Sequence, residues 1–322
     1  MATFADILRC PTCKHRLAEE GAALHCAACD VTYQALDGLW DLLPARTSRL
    51  KLSEREHYSE KTGFYLDMHR TWSGSPFYRH YHQAFLDELR RLPAGSLILE
   101  TGCGLGHDGL ELLRSGYRLV ETDIAPGHLG EARRLHLAEG YGASSFHLLA
   151  DAESLPFPAA CFDGALTVAS LHHLPDPLRA LRETRRVLKP GGLFVLGTEP
   201  NSWQSHTLYP VGKLLLELAG FLLRKQAHGG ENVSEADKLA EGFSRRRLDG
   251  LFREAGFRAW TLKPAGYLSA AASAISVELS QLAGRNIRVF ALERAAIPLD
   301  EALGRLPLTS RYPWHWNAVA QT

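Results

Sequence analysis

Four of the six cysteines fall within the first 30 residues, as two pairs with the spacing Cys-x-x-Cys. Cys10 and Cys13 form the first pair, and Cys26 and Cys29 form the second. Two such turns can deliver four thiolates to one tetrahedral Zn²⁺, an arrangement that leaves no open position for catalysis. Disulfides are the alternative, but the N-terminus carries Asp6 and no long apolar run, so it does not resemble an export signal. The spacing predicts a structural zinc ion.

A second group of residues is the glycine-rich segment Glu100–Gly109, with further glycines at Gly102, Gly104 and Gly106. A glycine-rich turn between a strand and a helix lets the backbone approach a ligand closely. The pattern from Gly104 to Gly109 also satisfies the dinucleotide fingerprint G-x-G-x-x-G. The glycines alone therefore leave two kinds of site open, one for a nicotinamide or flavin cofactor and one for S-adenosylmethionine.

Three carboxylates are predicted at the carboxyl ends of three successive strands. Glu100 stands two residues before the first glycine, Asp123 ends the second predicted strand, and Asp151 ends the third. The negative charges of a pyrophosphate would disfavour this grouping. S-adenosylmethionine has no phosphate, and its sulfonium and ammonium groups are stabilised by carboxylates. The three acids therefore favour S-adenosylmethionine, although each could singly be a helix cap or a solvated turn residue.

Adjacent histidines after the predicted fourth strand are the best candidates for a general base. Methyl transfer from a sulfonium needs positioning and exclusion of water, and a base where the nucleophile carries a proton. His172 and His173 have an imidazole that titrates near neutrality and suits this role. Either ring could instead pack against the cofactor, and the sequence does not separate the two. Glu199, His206 and Tyr209, after the fifth strand, are further candidates.

The elements that would position these residues follow from the hydrophobic pattern. From Ser96 onward, strand-like and helix-like segments alternate with short turns, which predicts an α/β fold with a parallel sheet covered on both faces. GFRAWTLKP and RNIRVFALER are predicted as two late strands. The predicted divisions are a zinc-ribbon domain (1–44), a helical cap or linker (45–95), a catalytic domain (96–296) with a helical lid insertion (203–255), and a C-terminal tail (297–322).

Composition excludes several classes of protein. Lys+Arg and Asp+Glu both total 36, which disfavours a chain built mainly to bind nucleic acid. Residues 1–44 hold three basic side chains against six acidic ones, so this region is not expected to contact phosphates. A soluble, cytoplasmic protein is expected. The apolar segment 208–225 is predicted to be a lid helix, with a wall for a lipid-like acceptor or a peripheral membrane contact as the alternatives.

Several motifs between residues 96 and 200 match a known family. ETGCGLG resembles the DxGxGxG loop of class I S-adenosylmethionine-dependent methyltransferases, with Glu100 in place of the commoner aspartate. ETDIAPGHL is similar to the family's second-strand motif, and ADAESLPFPAACFD to its adenine segment. LHHLPDPLRALRETRRVLKPGGLFVLGTEPN resembles the helix and fifth strand of the small-molecule, methyltransferase-11-like branch. The resemblance implies a Rossmann-like, doubly wound, seven-stranded, mostly parallel sheet with an antiparallel last strand.

The same resemblance implies roles for individual residues. Gly102, Gly104 and Gly106 would cradle the methionine moiety. Asp123 with Ile124 would bind the ribose, and Asp151 with Ala152 the adenine. Tyr58 and Tyr65 occupy the position of a helix that caps the cofactor in family members, where an aromatic face suits a sulfonium. Packing between helices is the alternative for both tyrosines.

Residues 7–44 resemble a second family, the small zinc-ribbon activator proteins that pair with RNA and protein methyltransferases. The likeness includes the closing segment DGLWDLLP. A ribbon fused ahead of a methyltransferase also resembles the guanine-N1 methyltransferases of ribosomal RNA. The sequence thus predicts methyl transfer from S-adenosyl-L-methionine to an O, N or C nucleophile of a small or lipid-linked metabolite. The alternatives are an rRNA or tRNA methyltransferase that docks through the ribbon, and a non-catalytic partner protein with this fold.

Overall fold

In the computed structural model, residues 4–207, 234–236, 242–283 and 287–322 are described. The N-terminal module (residues 4–44) contains four successive antiparallel strands, β1 (Ala18–Glu20), β2 (Ala23–Cys26), β3 (Val31–Leu36) and β4 (Leu39–Asp41). The turn between β3 and β4 is Asp37-Gly38, and both residues have a positive φ. An Asp-Gly pair favours such a tight turn, because glycine adopts this conformation without steric cost.

Three helices follow the module: α1 (Arg49–Glu60), α2 (Thr62–Trp72) and α3 (Pro76–Leu89). Their ends are set by local sequence. The Ser48 hydroxyl accepts a hydrogen bond from the Lys51 N–H at the start of α1, and the Ser75 hydroxyl accepts one from the Tyr78 N–H at the start of α3. These helices cover the carboxyl edge of the sheet that follows.

Strands and helices then alternate, as the hydrophobic pattern predicts. The first five strands of this part are β5 (Leu97–Thr101), β6 (Arg118–Asp123), β7 (Ser145–Leu149), β8 (Phe162–Val168) and β9 (Leu188–Pro200). The helices between them are α4 (His107–Arg114), α5 (Pro126–Ala138) and α6 (Pro177–Val187). The remaining elements are α7 (Ser202–His206), α8 (Arg245–Ala255), β10 (Ala259–Ala265), α9 (Leu268–Ala283), α10 (Phe290–Arg305) and β11 (His315–Gln321).

All strands join one sheet in the order β1-β2-β3-β4-β7-β6-β5-β8-β9-β11-β10. Strands β5 to β9 are parallel, and β11 lies antiparallel between β9 and β10. The Rossmann-like α/β fold is thereby confirmed. The expected count of seven strands is wrong for the whole sheet, which has eleven among the described residues. The reason is that β4 of the N-terminal module pairs in parallel with β7, through Trp40 with Leu148 and Asp41 with Leu149.

The antiparallel strand lies in a different place from the one predicted. Within RNIRVFALER, the described residues 287–294 do not form a strand, because helix α10 begins at Phe290. The strand is β11, inside the segment 297–322 that the sequence sets apart as a tail. HWNAVAQ lacks an alternating pattern because a central strand is covered on both faces, and Trp316, Asn317 and Ala318 are buried in succession. The methyltransferase-type sheet therefore extends beyond the predicted boundary at residue 296.

The N-terminal module and the rest of the chain share a hydrophobic core. Leu8, Leu24 and Leu42 belong to the same buried cluster as Phe157 and Phe162. A module of this size buries too little apolar surface to be stable alone, so contact with the larger sheet contributes to its stability. Among the helices of the described ranges, none has both the length and the apolar character needed to cross a bilayer. The apolar segment 208–225 lies outside the described residues.

Candidate functional site

A cavity of about 600 Å³ lies at the carboxyl ends of the parallel strands, beneath α1, α2 and α3. Glu100 from β5, Asp123 from β6 and Asp151 after β7 all line it. Parallel strands end at the same edge of a sheet, which is where ligands bind in open α/β folds. The three carboxylates named from the sequence thus share one cleft.

The glycine loop forms one wall of this cavity. Gly102 and Gly104 line it and have φ values of 64° and 53°. A Cβ atom on Gly102 would collide with the Ser170 side chain, whereas one on Gly104 would have no neighbour closer than 3.9 Å. Gly104 therefore leaves room for a ligand to approach the backbone. Gly106 does not line the cavity; a Cβ there would lie 2.6 Å from Cβ of Ala132, so this glycine permits close packing of α5.

Asp123 holds the loop in this shape. Its Oδ2 accepts a hydrogen bond from the Gly104 N–H at 2.8 Å, and its Oδ1 accepts one from the Ala125 N–H at 2.8 Å. Each carboxylate oxygen has a second lone pair, so the group can still accept hydrogen bonds from two hydroxyls of a ligand. Ile124, the next residue, lines the cavity beside it.

Asp151 has a partner that the sequence does not reveal. Lys51 Nζ lies 2.9 Å and 2.7 Å from the two oxygens of Asp151, and 2.7 Å from Glu153 Oε2. Lys51 comes from α1 and is only 7% exposed. A buried lysine is rare unless its charge is paired, and here the Lys51 ammonium contacts the carboxylates of both Asp151 and Glu153. Ala152 lines the cavity next to this pair, so the lysine fixes α1 over the position expected for the adenine.

Glu100 is the least solvated of the three acids, at 2% exposure. Burial raises its pKa well above the usual value, and the neighbouring Glu121 raises it further. Its Oε2 receives no hydrogen bond from any described residue. A Cβ built on Gly109 would lie 2.8 Å from this Oε2 and closer still to Glu121 Oε1, so the two carboxylates lie close together at this end of the cavity.

Four aromatic rings form a cluster at the centre of the cavity. The Tyr58 ring lies 5.1 Å from that of Tyr65, 5.3 Å from His128 and 5.7 Å from His173. All four residues line the cavity. Their faces and edges provide the kind of surface that binds an alkylated cation.

The structure separates the two adjacent histidines. His173 lines the cavity, with its Nε2 3.4 Å from the Tyr58 hydroxyl. His172 points the other way, and its Nδ1 lies 2.9 Å from Glu199 Oε2. Glu199 also accepts the backbone N–H groups of Ser170 and Leu171 at 2.9 and 2.7 Å. Burial alone would raise the pKa of Glu199, but His172 and these N–H groups lower it below its usual value. Glu199 thus holds the turn that carries both histidines.

A further part of the cavity lining, the apolar compartment, consists of apolar and aromatic side chains. Apart from Tyr65 of α2, the sequence assigned no site residues to the elements that carry them. These residues are Met68 and Trp72 of α2, Phe77 of α3, Ala270 and Ala274 of α9, and Trp314. Such walls suit an acceptor with extended apolar or aromatic surface.

The pKa values of two histidines on the cavity wall indicate how the free energy of unfolding depends on pH. Burial lowers the pKa of His315 to about 3 and that of His107 to about 4. In the unfolded chain both titrate near pH 6.5, so between about pH 6.5 and 4 the unfolded state binds more protons. The free energy of unfolding should fall as the pH falls through this window, by at most about 1.4 kcal/mol per pH unit for each histidine.

Glu100 acts in the opposite direction above pH 4.5, whereas burial also lowers the pKa values of His69, His128 and His136, which adds to the effect of the two histidines named above. Denaturant unfolding between pH 7 and pH 5 measures the balance, and His315→Asn should reduce the slope. Stability that stays constant or rises on acidification would contradict this assignment.

The four N-terminal cysteines also converge. Cys13 Sγ lies 3.5 Å from Cys26 Sγ, and Cys10 Sγ lies 4.0 Å from Cys29 Sγ. Zinc–sulfur bonds of about 2.3 Å in a tetrahedron place thiolates about 3.8 Å apart, so the donor set fits this ion. The same distances exceed a disulfide bond, and all four cysteines are free. The Tyr33 hydroxyl lies 3.4 Å from Cys10 Sγ, where it can stabilise a thiolate.

Comparison with known proteins supports the prediction made from the motifs between residues 96 and 200. Residues 99–196 match the family model described as "Methyltransferase domain". The S-adenosyl-L-methionine-dependent Diels-Alderase iccD of Talaromyces variabilis is 39% identical over 138 residues, which are 39% of this chain and 44% of that protein. The ubiquinone biosynthesis O-methyltransferase of Xanthomonas axonopodis pv. citri (strain 306) is 30% identical over 148 residues, which are 46% of this chain and 60% of that protein.

The fold is also similar to that of Haemonchus contortus phosphoethanolamine N-methyltransferase 2 in complex with S-adenosyl-L-methionine. The TM-score is 0.56 at 15% identity, over 86% of this chain and 60% of that chain. At this identity the likeness concerns the fold alone. The chain spans between 44% and 60% of the length of the two curated relatives above. Residues 99–196 are thus similar to a methyltransferase domain, and the fold is that of a solved methyltransferase.

Proposed function

We propose that the protein transfers a methyl group from S-adenosyl-L-methionine to a small-molecule acceptor. The observation that carries the proposal is the cavity in which the glycine loop meets Glu100, Asp123 and Asp151. Its negative charge suits a cofactor with a sulfonium and an ammonium group and disfavours a pyrophosphate. Asp123 would bind the ribose, Asp151 and Ala152 would face the adenine, and Glu100 would face the amino-acid end.

The acceptor is a small or lipid-linked metabolite with an O, N or C nucleophile. The apolar compartment formed by α2, α3 and α9 supports a ligand with substantial apolar surface. The similarity to a ubiquinone biosynthesis O-methyltransferase supports a small-molecule acceptor. Bulk RNA is disfavoured by the acidic N-terminal module.

In the same proposal, the N-terminal module is a zinc ribbon that acts within the chain. Cys10, Cys13, Cys26 and Cys29 would hold the ion, which would supply folding energy and no chemistry. The module contacts the loop that follows Asp151: the Arg9 N–H donates to the Pro156 carbonyl at 2.8 Å, and the Ser154 hydroxyl donates to the Pro11 carbonyl at 2.6 Å. The ribbon therefore positions the loop expected to hold the adenine.

Calorimetric titration of the purified chain with S-adenosylhomocysteine and with NADH tests the cofactor assignment. We expect binding of the first and none of the second. Incubation of the enzyme and methyl-labelled cofactor with a metabolite extract then tests transfer. NADH binding without S-adenosylhomocysteine binding would overturn the proposal. Cofactor binding without any labelled product would restrict it to a cofactor-dependent reaction other than methylation.

The same substitution should lower kcat to different extents at His173 and at His172. Only His173 faces the cavity, so His173→Gln should lower kcat about 100-fold or more if this ring accepts the proton of the nucleophile. His172→Gln should have a smaller effect, because this ring contacts Glu199 outside the cavity. Steady-state kinetics and the pH dependence of kcat compare the two variants. Equal losses in both would assign them a structural role in the turn.

A further inference from the structure

Three polar side chains meet in the dry interior between the sheet and α5. Glu121 of β6 and His147 of β7 are direct partners in the parallel pairing of these strands. His136 reaches them from α5, which connects the same two strands. Glu121 and His136 have no exposed surface, and His147 is 7% exposed. Polar groups this deeply buried require a partner, and the cluster lies outside the cofactor cavity.

One ligand atom from each residue points to a common centre. Glu121 Oε2 lies 2.7 Å from His147 Nε2 and 3.2 Å from His136 Nδ1, and the two nitrogens are 3.1 Å apart. Donors bound to a tetrahedral zinc ion at about 2.0–2.2 Å lie roughly 3.3–3.5 Å from one another. The His136 contacts therefore need to lengthen by a few tenths of an ångström, and the contact between Glu121 and His147 by roughly 0.6–0.8 Å, to hold such an ion.

The hydrogen bond made by His136 Nε2 determines which ring nitrogen of His136 could bind a metal ion. His136 Nε2 lies 2.9 Å from the Gly106 carbonyl oxygen, which can only accept a hydrogen bond. The proton of the neutral imidazole is therefore on Nε2, and Nδ1 presents its lone pair to the centre of the cluster. A backbone carbonyl that orients a histidine in this way is typical of metal ligands.

The carboxylate of Glu121 provides an independent indication. No described residue donates an aligned hydrogen bond to either of its oxygens, although the side chain is fully buried. The neighbouring Glu100 has an unpartnered Oε2, and a Cβ built on Gly109 would lie 2.8 Å from that atom. A divalent cation would compensate the charge of the Glu121 carboxylate, which would reduce the cost of burying this acid.

We propose that Glu121, His136 and His147 bind a divalent transition-metal ion of the zinc class. Two imidazoles and one carboxylate are a ligand set that this ion favours. The ion would lie directly beneath the glycine loop, since His136 is hydrogen-bonded to Gly106. Its role is structural: it joins β6, β7 and α5 at the point where the loop turns toward the cofactor.

Cadmium NMR of the full chain tests the proposal without any substitution. The protein is stripped of metal, loaded with ¹¹³Cd²⁺, and its metal content is measured. Thiolate and nitrogen–oxygen ligands give well-separated ¹¹³Cd resonances. We expect two bound ions per chain and one resonance of each type. One bound ion with only the thiolate resonance would overturn the proposal and leave the cluster as a network that shares protons.

Substitutions then assign the second resonance. His147→Asn should remove the nitrogen–oxygen signal and one ion while it retains the thiolate signal, and Cys26→Ser should do the reverse. His80→Asn is the matched control, because this histidine lies at the surface beside Glu301, and it should keep both ions. Retention of the nitrogen–oxygen signal in His147→Asn would contradict the assignment. If His147→Asn does not fold, the spectrum of the unsubstituted chain decides.

Discussion

Asp123→Ala should weaken binding of S-adenosylhomocysteine by a factor of roughly 10² to 10⁴. Hydrogen bonds to a charged group contribute about 1.5–3 kcal/mol each, and two to the ribose would be lost. The substitution also leaves the N–H groups of Gly104 and Ala125 without their acceptor, so the loop loses its fixed shape. Isothermal titration calorimetry measures the change directly.

Two further variants make this result specific. Asp123→Asn keeps an oxygen for one N–H group but loses the charge, so its affinity should be intermediate. Asp87→Ala removes an exposed carboxylate from α3, where the side chain pairs with Arg90, and should bind as the unsubstituted protein does. A folded Asp123→Ala variant with unchanged affinity would show that the ribose lies elsewhere, and the cofactor assignment would fail with it.

The second large effect concerns the four cysteines. Cys26 has no exposed surface, and Cys26→Ser should destabilise the whole chain and not the module alone, because the two parts share one core. Structural zinc contributes about 10–16 kcal/mol to isolated zinc-finger peptides. Tm changes by about 2–4 °C for each kcal/mol of stability in a chain of this size. Loss of a third of the zinc contribution would therefore lower Tm by about 10 °C.

Thermal unfolding followed by circular dichroism gives this shift. Cys161→Ser is the matched control, since Cys161 is partly buried but lies far from the cluster in sequence and carries no predicted ligand role. Chelators would strip any other bound metal as well, so the substitution is needed to assign the effect. An unchanged Tm in Cys26→Ser, with no metal in the purified chain, would exclude a structural zinc ion at these cysteines.

The parts of the site that could be predicted are those determined by the order and direction of the strands. Glu100 and Asp123 end consecutive strands, and parallel strands bring their ends to one edge whatever the side-chain packing is. The glycines could also be predicted from local sequence. Positions 102 and 106 have a positive φ that other residues rarely adopt, and a Cβ at either position would lie too close to its neighbours. Local sequence carries this information, and no knowledge of distant contacts is required.

The missed features all depend on contacts between residues far apart in the chain. Lys51 pairs with Asp151 across 100 positions, and nothing in the pattern of α1 marks this lysine as buried. His172 and His173 are neighbours, so only the position of Glu199 decides which ring faces the cavity. Strand β11 is enclosed on both faces and thus has no alternating pattern. Tertiary packing sets each of these outcomes.

The pairing of β4 with β7 also has a consequence for biosynthesis. Trp40 and its partner Leu148 are 108 positions apart (148 − 40), and the N-terminal strand leaves the ribosome first. At about 5–20 residues per second, β4 waits roughly 5–20 s before its partner is made. During this interval its backbone groups face solvent as an unprotected edge. Nascent chains arrested before residue 145 should therefore be the species most prone to aggregate or to recruit chaperones.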